Sequence, residues 1–252
     1  MLELVTIRAR PDLRAQVFDG AFNRLWPEFM LHDPVANLYF EAPHVERHLD
    51  TAFAVIDTAD PGTAIGRAFA VPFVFGEHGR DELPDSGWDG VIRWAHEDVA
   101  LGRRPNAVSA LEITLRPELR GQGASRVVLD AMRRQAGVLG YRQVFAPVRP
   151  TAKHLEPFTP MAEYVARRTA EGLPADPWLR VHVRAGGEIV KIAPTSMVIA
   201  GRLAEWRRWS GMPLPESGFV AVPGALSPLC VSVEQDSAVY VELNVWIRHS
   251  IV

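Results

Sequence analysis

A chain of 252 residues, 48% apolar and 23% charged, can bury a substantial core, which excludes disordered and collagen-like classes. Its 27 basic and 30 acidic side chains leave a net charge of −3, so there is no basic footprint for nucleic acid. The single cysteine, Cys230, can form neither an internal disulfide nor a cysteine zinc site, which fits a reducing compartment.

The first twenty residues mix acidic groups and arginines with no apolar stretch of signal-peptide length, and no run approaches the ~20 apolar residues of a spanning helix. A cytoplasmic chain without a membrane partner is expected. Leu2 to Arg8 alternates and predicts a strand, after which Pro11-Asp12 opens a helical pattern to about Leu25. Residues 26–50, with prolines at 27, 34 and 43, predict short helices broken by turns. Thr51 to Asp57 and Ala64 to Val74 are strand-like and are joined by a turn composition, so they pair as an antiparallel hairpin. Residues 76–106, rich in Gly, Pro, Asp and charges around Trp88 and Trp94, predict a long excursion from the core.

Ala107 to Leu115 is the most strand-like run of the first half, and Val127 to Leu139 has helical spacing ending at Gly140. Val144 to Val148 is a further strand, followed by helices over Met161 to Glu171 and Pro177 to Ala185. Gly187 to Ile192 and Met197 to Ile199 predict two strands, Arg202 to Ser210 a helix, and Phe219 to Ile247 paired strands.

The chemistry lies in Leu111 to Leu129. A glycine-bearing loop that opens a helix presents consecutive N–H groups and a positive dipole end, a nest that binds a pyrophosphate. Arg120, Gly121, Gln122, Gly123, Ala124 and Ser125 form that loop. Its glycines permit dihedrals and a close approach that a Cβ obstructs, and Arg120 adds donors for phosphate oxygens. It is neither the phosphate loop of nucleotide hydrolases nor a dinucleotide fingerprint.

This run resembles the pyrophosphate-binding motif of the GNAT superfamily of N-acetyltransferases, Arg/Gln-x-x-Gly-x-Gly/Ala, with Arg120, Gly123 and Ser125 on the three fixed places. Ser125 departs from the usual glycine or alanine but is small. The order of elements over residues 1–150 is similar too. The resemblance implies a mixed α/β fold around a mostly antiparallel sheet, flanked by helices, with one splayed parallel strand pair that receives acetyl-coenzyme A. Ile113, Thr114 and Leu115 would then guide the pantetheine arm. It implies a single domain over 1–252, with a core of about 1–150 and an elaboration of about 151–252. The expected activity is acyl-coenzyme A-dependent N-acyl transfer, most simply acetyl transfer to a small-molecule amine by direct attack. A homodimer is left open.

Two departures matter. The asparagine that follows the fifth strand in many members is missing from Arg149-Pro-Thr-Ala-Lys-His-Leu, and Tyr164 lacks the spacing of the family's tyrosine acid. Asp176-Pro-Trp-Leu-Arg-Val-His182 instead resembles a segment of larger members, among them loading-module domains that decarboxylate malonyl-coenzyme A with a His and a Thr. His182 matches the histidine and Thr114 loosely matches the threonine. His182 is either such a group or a histidine satisfied inside the fold.

Acyl transfer needs a base for the amine proton and electrophilic help at the thioester carbonyl. Strand period places Glu112 and Thr114 on one face, and burial makes a carboxylate more basic, so Glu112 is the first candidate. Its alternative is a carboxylate facing solvent or locked to an arginine. The rival functions are malonyl-coenzyme A decarboxylation and non-catalytic acyl-coenzyme A binding. His44 and His48 at i,i+4 lack the metalloprotease pattern, so no metal is expected. Trp26, Phe29, Tyr39 and Phe40 wall an acceptor pocket or pack in the core, and Trp206 to Trp209 read as an amphipathic helix. Tyr240, Trp246 and His249 line the cleft or close the sheet.

Overall fold

The computed structural model describes residues 1–18, 20–41 and 43–251. Among them nine strands make one sheet: β1 (Leu2–Thr6), β2 (Ala52–Asp57), β3 (Asp60–Phe73), β4 (Ala107–Leu115), β5 (Gln143–Val148), β6 (Glu188–Gly201), β7 (Gly218–Val220), β8 (Leu229–Ser232) and β9 (Ser237–Ser250). Their order is β1-β2-β3-β4-β5-β9-β8-β7, with β6 also paired to β9. The β4–β5 pair is parallel and every other pair is antiparallel. The helices are α1 (Arg14–Phe18), α2 (Gly20–Asn23), α3 (Asn37–Phe40), α4 (Gly87–Ala100), α5 (Ala124–Val138), α6 (Met161–Ala166), α7 (Pro177–Arg184) and α8 (Leu203–Ser210). No helix among the described residues is long and apolar enough to cross a membrane.

Strand alternation builds two cores, one on each face. On one face Phe69, Val71 and Phe73 of β3 and Trp246 of β9 pack with α1, α2 and α4. On the other, Ala68 and Ala70 of β3 and Val245 and Ile247 of β9 pack with Val128, Met132 and Ala136 of α5, and with α6 and α7. A third cluster around Trp206, Phe29 and Tyr240 joins α8 to β6, β8 and β9. One sheet therefore runs through both halves of the chain, because β9 from the C-terminus inserts beside β5.

The hairpin, the motif strand and the strand after the motif helix lie where the sequence predicts them. Differences have local causes. The helix expected over 11–25 is a 3-10 turn followed by two short helices, held by burial of Leu13, Val17 and Phe22 rather than by propensity; Asp19 within it lies outside the described residues, as does Ala42 in the aromatic segment. The excursion of 76–106 contains α4, whose glycines at 87 and 90 mask a helix with a buried Val91, Ile92 and Ala95 face. The two strands expected over 187–199 are one, because Pro194 sits within a register shift between Ala193 and Met197 and does not end the strand. The helix begun at Met161 stops at Ala166, where Arg167 is already extended.

Candidate active site

β4 and β5 pair only at Val108–Val144 and Ser109–Phe145, and then part. The cause is local to β4. Ala110 faces Ala70 and Glu112 faces Phe69, so Leu111 is an extra residue with no partner on β3, a bulge that twists the strand away from its parallel neighbour. Beyond Ser109 the edge of β4 toward β5 carries no strand among the described residues. Its other edge stays zipped to β3 through Ile113–Ala68 and Leu115–Gly66. The result is a slot walled by Ala110 to Leu115 on one side and the end of β5 on the other.

At the mouth of this slot the chain turns through residues 120–123 into α5. Gly121 and Gly123 both have φ +75°, in the left-handed region where a side chain is strained, and Gly123 is the N-cap of α5. Main-chain bonding resumes at Arg126 and Val127, whose N–H groups donate to Gly123 O. Among the described residues nothing accepts from the amides of Gly121 through Ser125. Space around both glycine Cα atoms is open, and Arg120 is exposed. Unpaired amides at a helix N-terminus beside an open strand edge suit a diphosphate joined to an extended amide-bearing arm, so these residues fit coenzyme A.

The face of the slot opposite α5 is polar within an otherwise apolar layer. On β4, Glu112 Oε1 accepts from Arg67 Nε at 2.6 Å and from the Thr114 hydroxyl at 2.6 Å, and Arg67 Nη2 donates to Oε2 at 3.3 Å. The pair is buried, with side chains 10% and 6% exposed. Trp26 Nε1 donates to Thr114 Oγ1 at 3.1 Å, so the aromatic segment reaches the same cluster. Across the slot, Arg149 follows β5 and donates from Nε to Glu242 Oε2 at 3.0 Å and from Nη2 to Gly224 O. Glu242 also accepts from the Tyr240 hydroxyl at 2.8 Å and from Asn244 Nδ2 at 3.0 Å. The Ser196 hydroxyl donates to Asn244 Oδ1 at 2.5 Å.

No family model matches the chain. A curated relative, the arginine N-acetyltransferase avaD of Aspergillus versicolor, is 30% identical over 98% of this chain and 93% of its own length. This chain belongs to the GNAT superfamily of N-acetyltransferases. Among solved structures the GNAT fold is shared with the loading GNATL domain of CurA from Lyngbya majuscula (TM-score 0.53, 18% identity, 100% of this chain and 98% of that one). It is shared also with the GphF GNAT-like decarboxylase in complex with isobutyryl-CoA (TM-score 0.50, 14% identity, all of both chains). As a GNAT enzyme this chain is an acyl-coenzyme A-dependent N-acyltransferase.

Within this GNAT scaffold, Ile113 and Leu115 flank the open edge and pack toward α5, Thr114 and Glu112 face the polar side, and residues 120–125 make the turn that opens α5. Glu112 is the arginine-locked carboxylate of the sequence alternatives, not a lone desolvated one. His182 is not brought to them. Its Nδ1 lies 2.9 Å from Nε2 of His249, which pairs with Val144 at the closed end of the β4–β5 contact. Thr114 lies about 16 Å farther along β4 by strand rise, and on the opposite face. Burial pushes His182 down to about 3 and His249 to about 4, so both are neutral in the fold. Tyr164 donates to Asp176 at 2.8 Å and is pushed up by burial, a fixed strut between α6 and α7.

Phe29, Tyr39, Trp206, Tyr240 and Trp246 are core residues, each 1% exposed or less. His44 stacks edge-on against His96, and no group of three metal-ligating side chains exists among the described residues. Arg67, Trp88, Arg149, Ser196, Glu242 and Asn244 were not singled out as site residues from sequence. One signal was available: Glu242 and Asn244 interrupt the run from Val239 to Ile247, and a polar residue on a strand buried on both faces needs a partner.

Proposed function

We propose that this enzyme transfers the acetyl group of acetyl-coenzyme A to a nitrogen of a small-molecule amine, with arginine as the first acceptor to test. The observation that carries the reading is the slot beside β4 together with the unpaired amides of Gly121 to Ser125 at its mouth. The acceptor follows from the relative, an arginine N-acetyltransferase aligned over nearly the whole of both chains. We place the enzyme in the cytoplasm on its cysteine usage.

Bound in the slot, the thioester supplies an activated acyl group. Residues 120–125 hold the diphosphate, and main chain at Ile113 to Leu115 guides the arm. The polar face supplies the rest. Glu112 lies on the side from which the amine approaches; its ion pair with Arg67 competes with an incoming proton but leaves Oε2 with a single contact among the described residues, at 3.3 Å. Through a water there it takes the amine proton and passes it to the coenzyme A thiolate released as the carbon–sulfur bond breaks. Trp26 fixes the Thr114 hydroxyl so that Glu112 keeps one geometry. Decarboxylation of malonyl-coenzyme A is not favoured, because His182 and Thr114 do not meet at one point.

Incubation with acetyl- or malonyl-coenzyme A, with and without arginine and a panel of amines, tests the reading. Thiol release that depends on both acetyl-coenzyme A and an amine supports it. Conversion of malonyl to acetyl thioester without acceptor, or binding without turnover, replaces it with one of the two rivals.

A further inference from the structure

Leu111 O lies on the bulge of β4, outside the β3 ladder and past the point where β5 leaves, so no strand satisfies it. Its partner is the indole of Trp88, whose Nε1–H donates at 3.2 Å. Trp88 belongs to a segment fastened to the other wall of the slot. Thr195 N–H donates to Asp85 O at 3.1 Å, and Trp246 Nε1–H to Pro84 O at 2.9 Å. Trp88 N–H itself donates to Ser196 Oγ at 2.9 Å, and through the Ser196 hydroxyl this bond continues to Asn244 of β9.

The fit is close. Gly87 has φ +41°, and a Cβ built there would lie 2.2 Å from Ser196 Oγ and 2.9 Å from its Cα, so only glycine lets Trp88 come this near to β6. Trp88 packs against both the β3 and the Trp206 clusters, which leaves its ring little freedom. One residue therefore ties the bulge of β4, through its side chain, to β6 and β9, through its backbone.

We propose that Trp88 is a positioning residue that sets the width of the slot between β4 and β5 and holds the bulged main chain in register with the incoming thioester arm. This rests on the acyl-transfer reading of the same site. Trp88 takes no proton. It acts through Leu111, whose carbonyl is anchored so that the neighbouring groups of β4 stay directed into the slot.

The test separates the slot from the nest by using two probes, coenzyme A and adenosine 3′,5′-bisphosphate extended only to the diphosphate, which lacks the pantetheine arm. In Trp88→Phe an aromatic ring is kept, smaller than the indole, and the donor is lost. Calorimetry is expected to show affinity for the short probe within twofold of wild type, affinity for coenzyme A at least fivefold weaker, and kcat at least tenfold lower. Ser196→Ala, a small change that preserves the indole bond, should move the same quantities in the same direction, and the double variant should add little to the larger single effect because both act on one linkage. Equal loss for both probes, wild-type kcat and coenzyme A affinity in Trp88→Phe, or full additivity would overturn the proposal; if Trp88→Phe does not fold, Ser196→Ala alone decides by the same split. Failure of the wild-type protein to bind coenzyme A would instead remove the acyl-transfer reading.

Discussion

Replacing Glu112 with Gln changes one atom and removes one charge, and the structure says how the consequences divide. Oε1 accepts two bonds of 2.6 Å, from Arg67 and Thr114, and a glutamine carbonyl placed there keeps both. The amide nitrogen then replaces Oε2, facing Arg67 Nη2 at 3.3 Å, the longer contact, where two donors oppose each other. Losing that bond and the charge on a pair this buried should lower stability by about 1–3 kcal/mol. Truncation of Arg67, which strands the carboxylate, should lower it by about 3–5 kcal/mol. For a chain of this length the first figure corresponds to a melting temperature lower by roughly 2–12 °C. Turnover should fall far more, by about 10²–10⁴-fold, if the carboxylate takes the amine proton. Thiol release at 25 °C with acetyl-coenzyme A and arginine, read beside calorimetric unfolding and coenzyme A titration, separates these effects. A Glu112→Gln protein that is folded, binds coenzyme A normally and turns over at the wild-type rate would refute the role of base.

Gly123→Trp places a side chain on a residue at φ +75° and covers the amides of the nest; coenzyme A affinity should weaken at least tenfold, and unchanged affinity by calorimetry would displace the diphosphate from this loop. Asp89, buried beside Asp33, has its carboxyl pushed up to about 9, by burial first and by Asp33 second. The folded state thus keeps a proton that the unfolded chain has lost, and stability should decline as pH rises from about 4 toward about 9. Asp89→Asn should flatten this decline, with its advantage growing at high pH; urea midpoints at pH 6 and 8.5 that shift equally in both proteins would contradict it. His182 and His249 are held neutral by burial down to about 3 and about 4, whereas an unfolded imidazole gains its proton near pH 6.5. The contribution of these imidazoles, and of His48, likewise pushed down to about 4 by burial, should be constant above pH 7 and fall as pH drops from about 6.5 to about 4, by up to ~1.4 kcal/mol per pH unit for each, against the opposing slope from Asp89. His249→Gln should lose about a third of that slope, and an unchanged slope would show that His249 does not titrate in this way.

Much of this fold was legible because local chemistry decided it. The strand-like run Ala107 to Leu115 marks β4 to the residue, and the glycines at 121 and 123 announce the positive φ angles that begin α5. Helix α4 was hidden because two glycines in its first turn carry a loop signature, yet they are there for close approach: Gly87 to Ser196 and Gly90 to Pro84. The unbroken β6 was hidden by Pro194, which a register shift accommodates without ending the strand.

The candidate site divides along the same line. The loop proposed for the diphosphate is built from main chain of consecutive residues, so a stretch of six neighbours in sequence is enough to suggest it. Side chains that meet across strands do not. Thr114 and His182 looked like partners as residue types, but strand register sends them to opposite ends and faces of the sheet, while Glu112 meets Arg67 from 45 residues away and Trp88 meets Ser196 from 108. Which residues share a slot is settled by the insertion of β9 beside β5 and by one extra residue in β4. Those are long-range pairings, and a sequence pattern of period two or 3.6 carries no information about them.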